Sequence, residues 1–261
     1  MATTDHLSPL APADVSRRRG MGWLYLAAGL AMLLAGILLW TRSLTDWDSW
    51  DYAVLAITRQ PSGLCLRRWW FIAFMRLAWL VGLPFGASDP AVAFVPMKIA
   101  VLLSSAGAVA ALTAWTYKFT GRVSTAAIAA LMGVASPSLL AYSSTVMTEG
   151  PTLLLLTGTL ICWEVAIRRD RATGSCTWAM LAGLLFGVAV SMREPALFLA
   201  AWPLVSCFSD RPRHRWKMLA AAIIGMGVSL GFAILMAWQW SGVDPLAAMR
   251  SYSEYMRGER A

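Results

Sequence analysis

Three carboxylates fall in one short stretch, Thr45-Asp46-Trp47-Asp48-Ser49-Trp50-Asp51-Tyr52-Ala53. On a helix Asp48 and Asp51 share a face, and the Asp46/Asp48 spacing can hold a divalent cation or leave one carboxylate as a general base. The same residues also suit a solvated helix start, with Asp at the positive end of the dipole. Trp47 and Trp50 either stack on a sugar ring or anchor a membrane interface. A further carboxylate, Glu149, stands in Ser143-Ser144-Thr145-Val146-Met147-Thr148-Glu149-Gly150-Pro151 without a basic neighbour. A lone carboxylate at the mouth of a helix pair is costly unless solvated or paired. It equally fits the first turn of a helix that Thr148 caps and Pro151 opens. The third place is Arg193, before Glu194 and Pro195. Its guanidinium can grip a phosphate bidentately, or pair with Glu194 or Glu149.

Other chemistry is excluded by what the chain lacks. Its two histidines, His6 and His214, lie in polar segments outside every apolar run, so no Ser-His-Asp triad or HExxH zinc site can form among the spans. Cys65, Cys162, Cys176 and Cys207 are scattered without CxxC spacing, which gives no metal site and no disulfide framework. The net charge of +8 comes from 22 Lys and Arg interleaved with apolar runs. That arrangement fits orientation signals and anionic lipid headgroups rather than nucleic acid.

The elements that must position these groups are membrane helices. Of 261 residues, 58% are apolar and 14% charged, and several apolar runs reach the roughly 20 residues that one helix needs to cross a bilayer. Expected spans are residues 21–40, 91–117, 123–141, 151–167, 177–190, 195–208 and 218–240, about seven in all. The expected architecture is an all-α polytopic bundle: a cytoplasmic tail over 1–20, a transmembrane module over 21–240 and an outer-face segment over 241–261. The run over 21–40 exceeds a signal-peptide core and lacks a following A-x-A site, so it reads as an uncleaved anchor.

Orientation turns on residues 69–84, apolar but interrupted by Arg76. If this segment does not cross, the cytoplasmic side receives Arg17, Arg18, Arg19, Lys118, Arg122, Arg168, Arg169, Arg171, Arg211, Arg213, Arg215 and Lys217. The outer turn over 141–150 then has no cation, as the positive-inside bias requires. Residues 41–90 become a large outer loop with interfacial helices, and Trp47, Trp50, Trp69 and Trp70 sit at headgroup depth. Glu164 lies four residues before Arg168 and reads as an ordinary i, i+4 pair. Little charge remains at mid-depth for a proton relay, and no internal repeat is visible, which disfavours a small-solute transporter.

At three places the chain resembles the GT-C glycosyltransferases, typified by protein O-mannosyltransferases and lipid A aminoarabinose transferases. Asp48-Ser49-Trp50-Asp51-Tyr52-Ala53 is similar to that family's Asp-Glu-x-x-Tyr-Ala opening of the first outer loop, with Ser49 in place of the second acid. Thr148-Glu149-Gly150-Pro151 resembles its Ser/Thr-Glu-x-Pro start of a span. The run from Gly183 to Pro195 looks like its Gly-Leu-x-x-Gly-Leu-Ala…Thr-Arg-Pro segment, with Met192 for Thr and Glu194 inserted before Pro195.

The resemblance implies transfer of a sugar from a polyprenyl-phosphate donor to an acceptor glycan, lipid or protein on the periplasmic or luminal side. Asp48 would be the general base of an inverting displacement, and Glu149 would position a substrate. Arg193 would meet the lipid phosphate, with Arg59, Arg67 and Arg68 as weaker choices; Asp51 and Tyr52 complete the expected substrate site. No cofactor is implied beyond a divalent cation at Asp46 and Asp48, should one bind. The alternative is a non-catalytic or truncated membrane subunit of a glycan-assembly system, since GT-C enzymes usually carry further spans.

Overall fold

The computed structural model describes residues 12–40, 47–59, 68–169, 171–209 and 214–241. Every regular element among them is helical. In order these are α1 (Pro12–Leu38), α2 (Trp47–Thr58), α3 (Trp69–Gly82), α4 (Val95–Thr120), α5 (Val123–Val134), α6 (Pro137–Ser143), α7 (Glu149–Ile167), α8 (Ala172–Met192), α9 (Ala201–Ser209) and α10 (Arg215–Ser241). Short 3-10 turns, Leu83–Phe85 and Glu194–Ala200, follow α3 and precede α9. The segment expected as a polar tail over 1–20 is helical from Pro12.

Four of these helices are long and apolar enough to cross a membrane: α4, α7, α8 and α10. The α5–α6 pair, bent by 53°, meets the same length and apolarity only when its two helices are taken together. The bend follows from the local sequence. Ser136 caps α6 by accepting from the Leu139 N–H at 3.4 Å, and Pro137 has no N–H with which to continue α5. By length and composition the described helices give four or five of the roughly seven spans expected, with Gly22–Leu38 and Glu194–Phe208 as shorter apolar helices. Residues 195–208, expected as one span, form a 3-10 turn followed by the nine-residue α9, and they lead from the Arg193 end of the bundle to the end where α10 starts, with Trp202 against Trp115 and Phe119. The apolar part of α1, Gly22–Leu38, is also short, though it continues a helix already under way.

Close approaches between helices fix their directions. A Cβ on Gly29 would meet Ala106 O and Ala110 Cβ at 3.3 Å, while Gly36 faces Leu102, so α1 and α4 run antiparallel. Gly150 faces Ser105 and Gly107 faces Leu154, which makes α4 and α7 parallel. Gly158 against Leu185, with Glu149 against Arg193, sets α7 and α8 antiparallel. Gly183 against Ala222 and Gly187 against Met226 set α8 and α10 parallel. One end of the bundle thus gathers the starts of α4 and α7 with the ends of α1, α8 and α10. The opposite end carries Lys118, Arg122, Arg168, Arg169, Arg171, Arg215 and Lys217.

Residues 39–94 leave and rejoin the bundle at the same end, because Leu38 and Val95 lie there together. Within this segment α2 and α3 are built into the core. Tyr52, Ala53 and Ala56 of α2 and Phe71, Ile72 and Met75 of α3 are buried with Met97, Val101, Val146, Met147, Met192 and Ala237. Helical periodicity explains the α2 face: Ser49, Tyr52, Ala53 and Ala56 follow i, i+3, i+4, i+7. Trp69 and Trp70 are both packed into the bundle. Trp69 is 4% exposed, and Trp70 donates its indole N–H to Ser229 O of α10 at 2.9 Å. Trp50 remains half exposed, edge-on to Phe94.

Candidate active site

The start of α7 is shaped by its own sequence. Thr148 occupies the N-cap position, Glu149 opens the first turn, and Pro151 sits where a helix needs no donor. Gly150 is required because a Cβ there would collide with Ser105 Oγ of α4. That contact holds Glu149 at the junction of two helices, where its side chain is 11% exposed. Across α7, the last turn of α8 ends at Arg193, whose backbone is extended at φ −155°. From there the Arg193 Nη1 donates to Glu149 Oε1 as an ion pair. Of the two acids the sequence offered Arg193, the fold selects Glu149; Glu194 is exposed.

Asp48 lies in the first turn of α2 and is partly exposed, as is Asp51 one turn on. Tyr52 is buried, edge-on to Phe71 at 5.1 Å, and its hydroxyl accepts from Arg68 Nη1. Arg59 follows α2 in a left-handed conformation, φ 62°, and is exposed. The buried face of α2 shares its core with Val146, Met147 and Met192, the neighbours of Glu149 and Arg193 in sequence. Thus the acid-bearing helix and the ion pair belong to the same end of the bundle. Asp46 and Arg67 lie outside the described residues. Among the described residues no three His, Cys, Asp or Glu side chains converge in a way that could hold a metal ion.

Two cations were not assigned roles by sequence reasoning. Arg76, noted only as an interruption in an apolar run, donates to Ala56 O at 2.7 Å and Ile57 O at 3.1 Å, so it caps the C-terminus of α2. Burial, and then the Arg59 charge, lower its guanidinium from the ordinary value. Lys98, in the first turns of α4, is 2% exposed with its ammonium 5.3 Å from the Trp40 ring centroid. A lone cation near the mouth of an expected span was the signal available for it.

Beside the ion pair runs an apolar groove of about 370 Å³ between α3, α4, α7 and α8. Pro151, two residues after Glu149, and Met192, next to Arg193, form part of its wall, with Trp70, Phe74, Leu155 and Val188 beyond them. A charged pair with an apolar trough alongside suits a ligand with a polar head and a hydrocarbon tail.

Residues 86–238 match the family described as dolichyl-phosphate-mannose-protein mannosyltransferase. The chain belongs to this family. It is accordingly a membrane glycosyltransferase that draws on a lipid-linked sugar donor. The matched region holds the ion pair and most of the groove, while α2, with Asp48, precedes it. No curated protein and no solved structure matches the chain.

Proposed function

We propose that the chain transfers a sugar from a polyprenyl-phosphate donor to an acceptor hydroxyl on the periplasmic or luminal face, with inversion at the anomeric carbon. The observation that carries this reading is the Arg193–Glu149 pair at the same end of α7 and α8 as Pro151 and Met192, which line the apolar groove. The groove takes the proximal isoprenoid units, and Arg193 lies where the lipid phosphate follows.

In the reaction Asp48 accepts the proton of the acceptor hydroxyl as that oxygen attacks the anomeric carbon. The bond from this carbon to the phosphate oxygen breaks, and its electron pair leaves with the lipid phosphate. The departing dianion needs countercharge more than it needs a proton, and Arg193 supplies it, with Arg59 and Arg68 on the α2–α3 side. Glu149 orients a substrate, and Asp51 and Tyr52 border the acceptor side. The basic end of the bundle is the cytoplasmic one, by the excess of Lys and Arg in its short turns, which sets the site on the opposite face.

Purified chain in lipid nanodiscs, supplied with polyprenyl-phosphate-mannose and candidate acceptors, tests the reading. A product of inverted anomeric configuration by NMR supports it; a product of retained configuration contradicts the single displacement. Ser49, in place of the second acid, favours the alternative of a non-catalytic subunit, for which no acceptor would be glycosylated and the donor would remain intact.

A further inference from the structure

The bundle treats its buried hydroxyls in one consistent way, and the exceptions are informative. Inside an apolar helix a Ser or Thr ordinarily turns its hydroxyl back onto a carbonyl of its own helix. Ser104, Ser105, Thr113, Thr157 and Thr159 do so onto the carbonyl four residues earlier, at 2.7–2.9 Å. Ser143, Ser144, Thr145, Ser175, Ser206 and Ser229 also donate to backbone carbonyls. Among the described buried hydroxyls, the three without a partner are Ser49 and Thr148, which stand at helix starts with no carbonyl of their own helix behind them, and Thr152, which does have one in Thr148 O. Thr148 is 1% exposed and Thr152 5%.

Two of the three flank Glu149, and the carboxylate shares their state. Its Oε1 is held by Arg193, while Oε2 is buried with no partner. Thr148, Glu149 and Thr152 therefore present two hydroxyls and one carboxylate oxygen at the start of a single helix. Each such group carries a desolvation penalty, so three together are costly in a resting structure and valuable to a ligand that satisfies them.

Their position gives the direction of approach. At about 100° per residue, Thr148 and Thr152 fall on the arc of α7 between Pro151 and Leu155, which line the groove, and Glu149, which meets Arg193. Neither threonine lines the groove itself, so a lipid head reaches them only from the groove's Pro151 side. Hydroxyls that both give and accept hydrogen bonds, next to a carboxylate oxygen that only accepts, match a polyol. The Arg193 charge already offsets Glu149, so the set favours an uncharged ring.

We propose that Thr148, Thr152 and Glu149 Oε2 form the subsite that holds the hydroxyl groups of a neutral donor hexose. This rests on the reading of the chain as a polyprenyl-phosphate sugar transferase. It assigns Thr148 and Thr152 to recognition of the sugar, apart from recognition of the phosphate.

The test measures binding of the full chain in nanodiscs to two probes, polyprenyl-phosphate-mannose and the same polyprenyl phosphate without sugar. Thr148→Val and Thr152→Val keep side-chain shape and remove the hydroxyl. Each is expected to weaken the sugar-bearing lipid roughly tenfold and leave the sugar-free lipid unchanged. Thr148→Ser and Thr152→Ser should restore the difference. The Val variants should melt no lower than wild type, since an unpaired buried hydroxyl is what they delete. If both lipids bind and the Val variants weaken neither, or weaken both equally, the subsite is wrong while the donor reading stands. If wild type binds neither lipid, both fall.

Discussion

Arg193 Nη1 donates to Glu149 Oε1 across 44 positions of sequence, joining the last turn of α8 to the first turn of α7. The two side chains are 40% and 11% exposed, so the arginine keeps a solvent-facing side while the carboxylate does not. That asymmetry suits an arginine that contacts an incoming anion while holding its partner in place. Arg193→Ala is expected to lower transfer by about 10²–10³ if the guanidinium stabilises the leaving phosphate. The stability cost should be only about 1 kcal/mol, because a half-exposed pair is screened. Turnover and thermal melting on the same preparation check the two parts, and Arg193→Lys should recover activity incompletely for want of a bidentate fork.

The groove predicts a dependence on lipid length. Ala73 lines it from α3, and Ala73→Trp should fill part of its volume. KM for a long-chain polyprenyl donor should rise about tenfold with kcat nearly unchanged. A donor with a short chain should be affected much less. Equal effects on both donors would place the tail elsewhere.

Arg76 ties α3 to the end of α2 through the carbonyls of Ala56 and Ile57. Arg76→Met keeps the apolar stem but leaves those carbonyls without their charged donor, at roughly 1.5–3 kcal/mol. Amide exchange in α2 should quicken, and kcat/KM should fall because Asp48 rides on that helix. Exchange unchanged throughout α2 would contradict the capping role.

Much of this was legible in the sequence, and the gaps have specific physical causes. The helical membrane class follows from composition, and Glu149 and Arg193 were both identified from their charge at the ends of apolar runs. Their tie to each other was left open, since it depends on the register of α7 against α8. Hydropathy weighs side chains, whereas residues 195–208 change from 3-10 to α-helix at Ala201, and residues 123–141 bend at Pro137. Trp70 has the composition of an interfacial anchor, yet its hydrogen-bond partner, Ser229 O, lies 159 positions away. The orphaned hydroxyls of Thr148 and Thr152 were invisible for another reason: only coordinates show that the N-cap Thr148 accepts from no helix N–H and that Thr152 does not donate to the carbonyl four residues earlier.

The parallel packing of α8 on α10 depends on Gly183, where a Cβ would collide with the Ala222 carbonyl. Gly183→Val should force the helices apart and destabilise the bundle by about 1–3 kcal/mol or more. Gly227, also on α10, has nothing within 4 Å of a built Cβ. Gly227→Ala should be neutral or raise the melting temperature by its helix propensity. Similar losses in both variants would argue against a steric cause.

The central claim, that Asp48 removes the acceptor proton, is tested most directly in native membranes carrying radiolabelled polyprenyl-phosphate sugar. Wild type is compared with Asp48→Asn at matched expression, with the rest of α2 and Arg76 of α3 untouched. Asp48→Asn should accumulate the labelled donor and slow formation of one labelled product by about 10²–10⁴. Donor consumption at the wild-type rate in Asp48→Asn membranes would contradict the account and remove Asp48 from the chemistry.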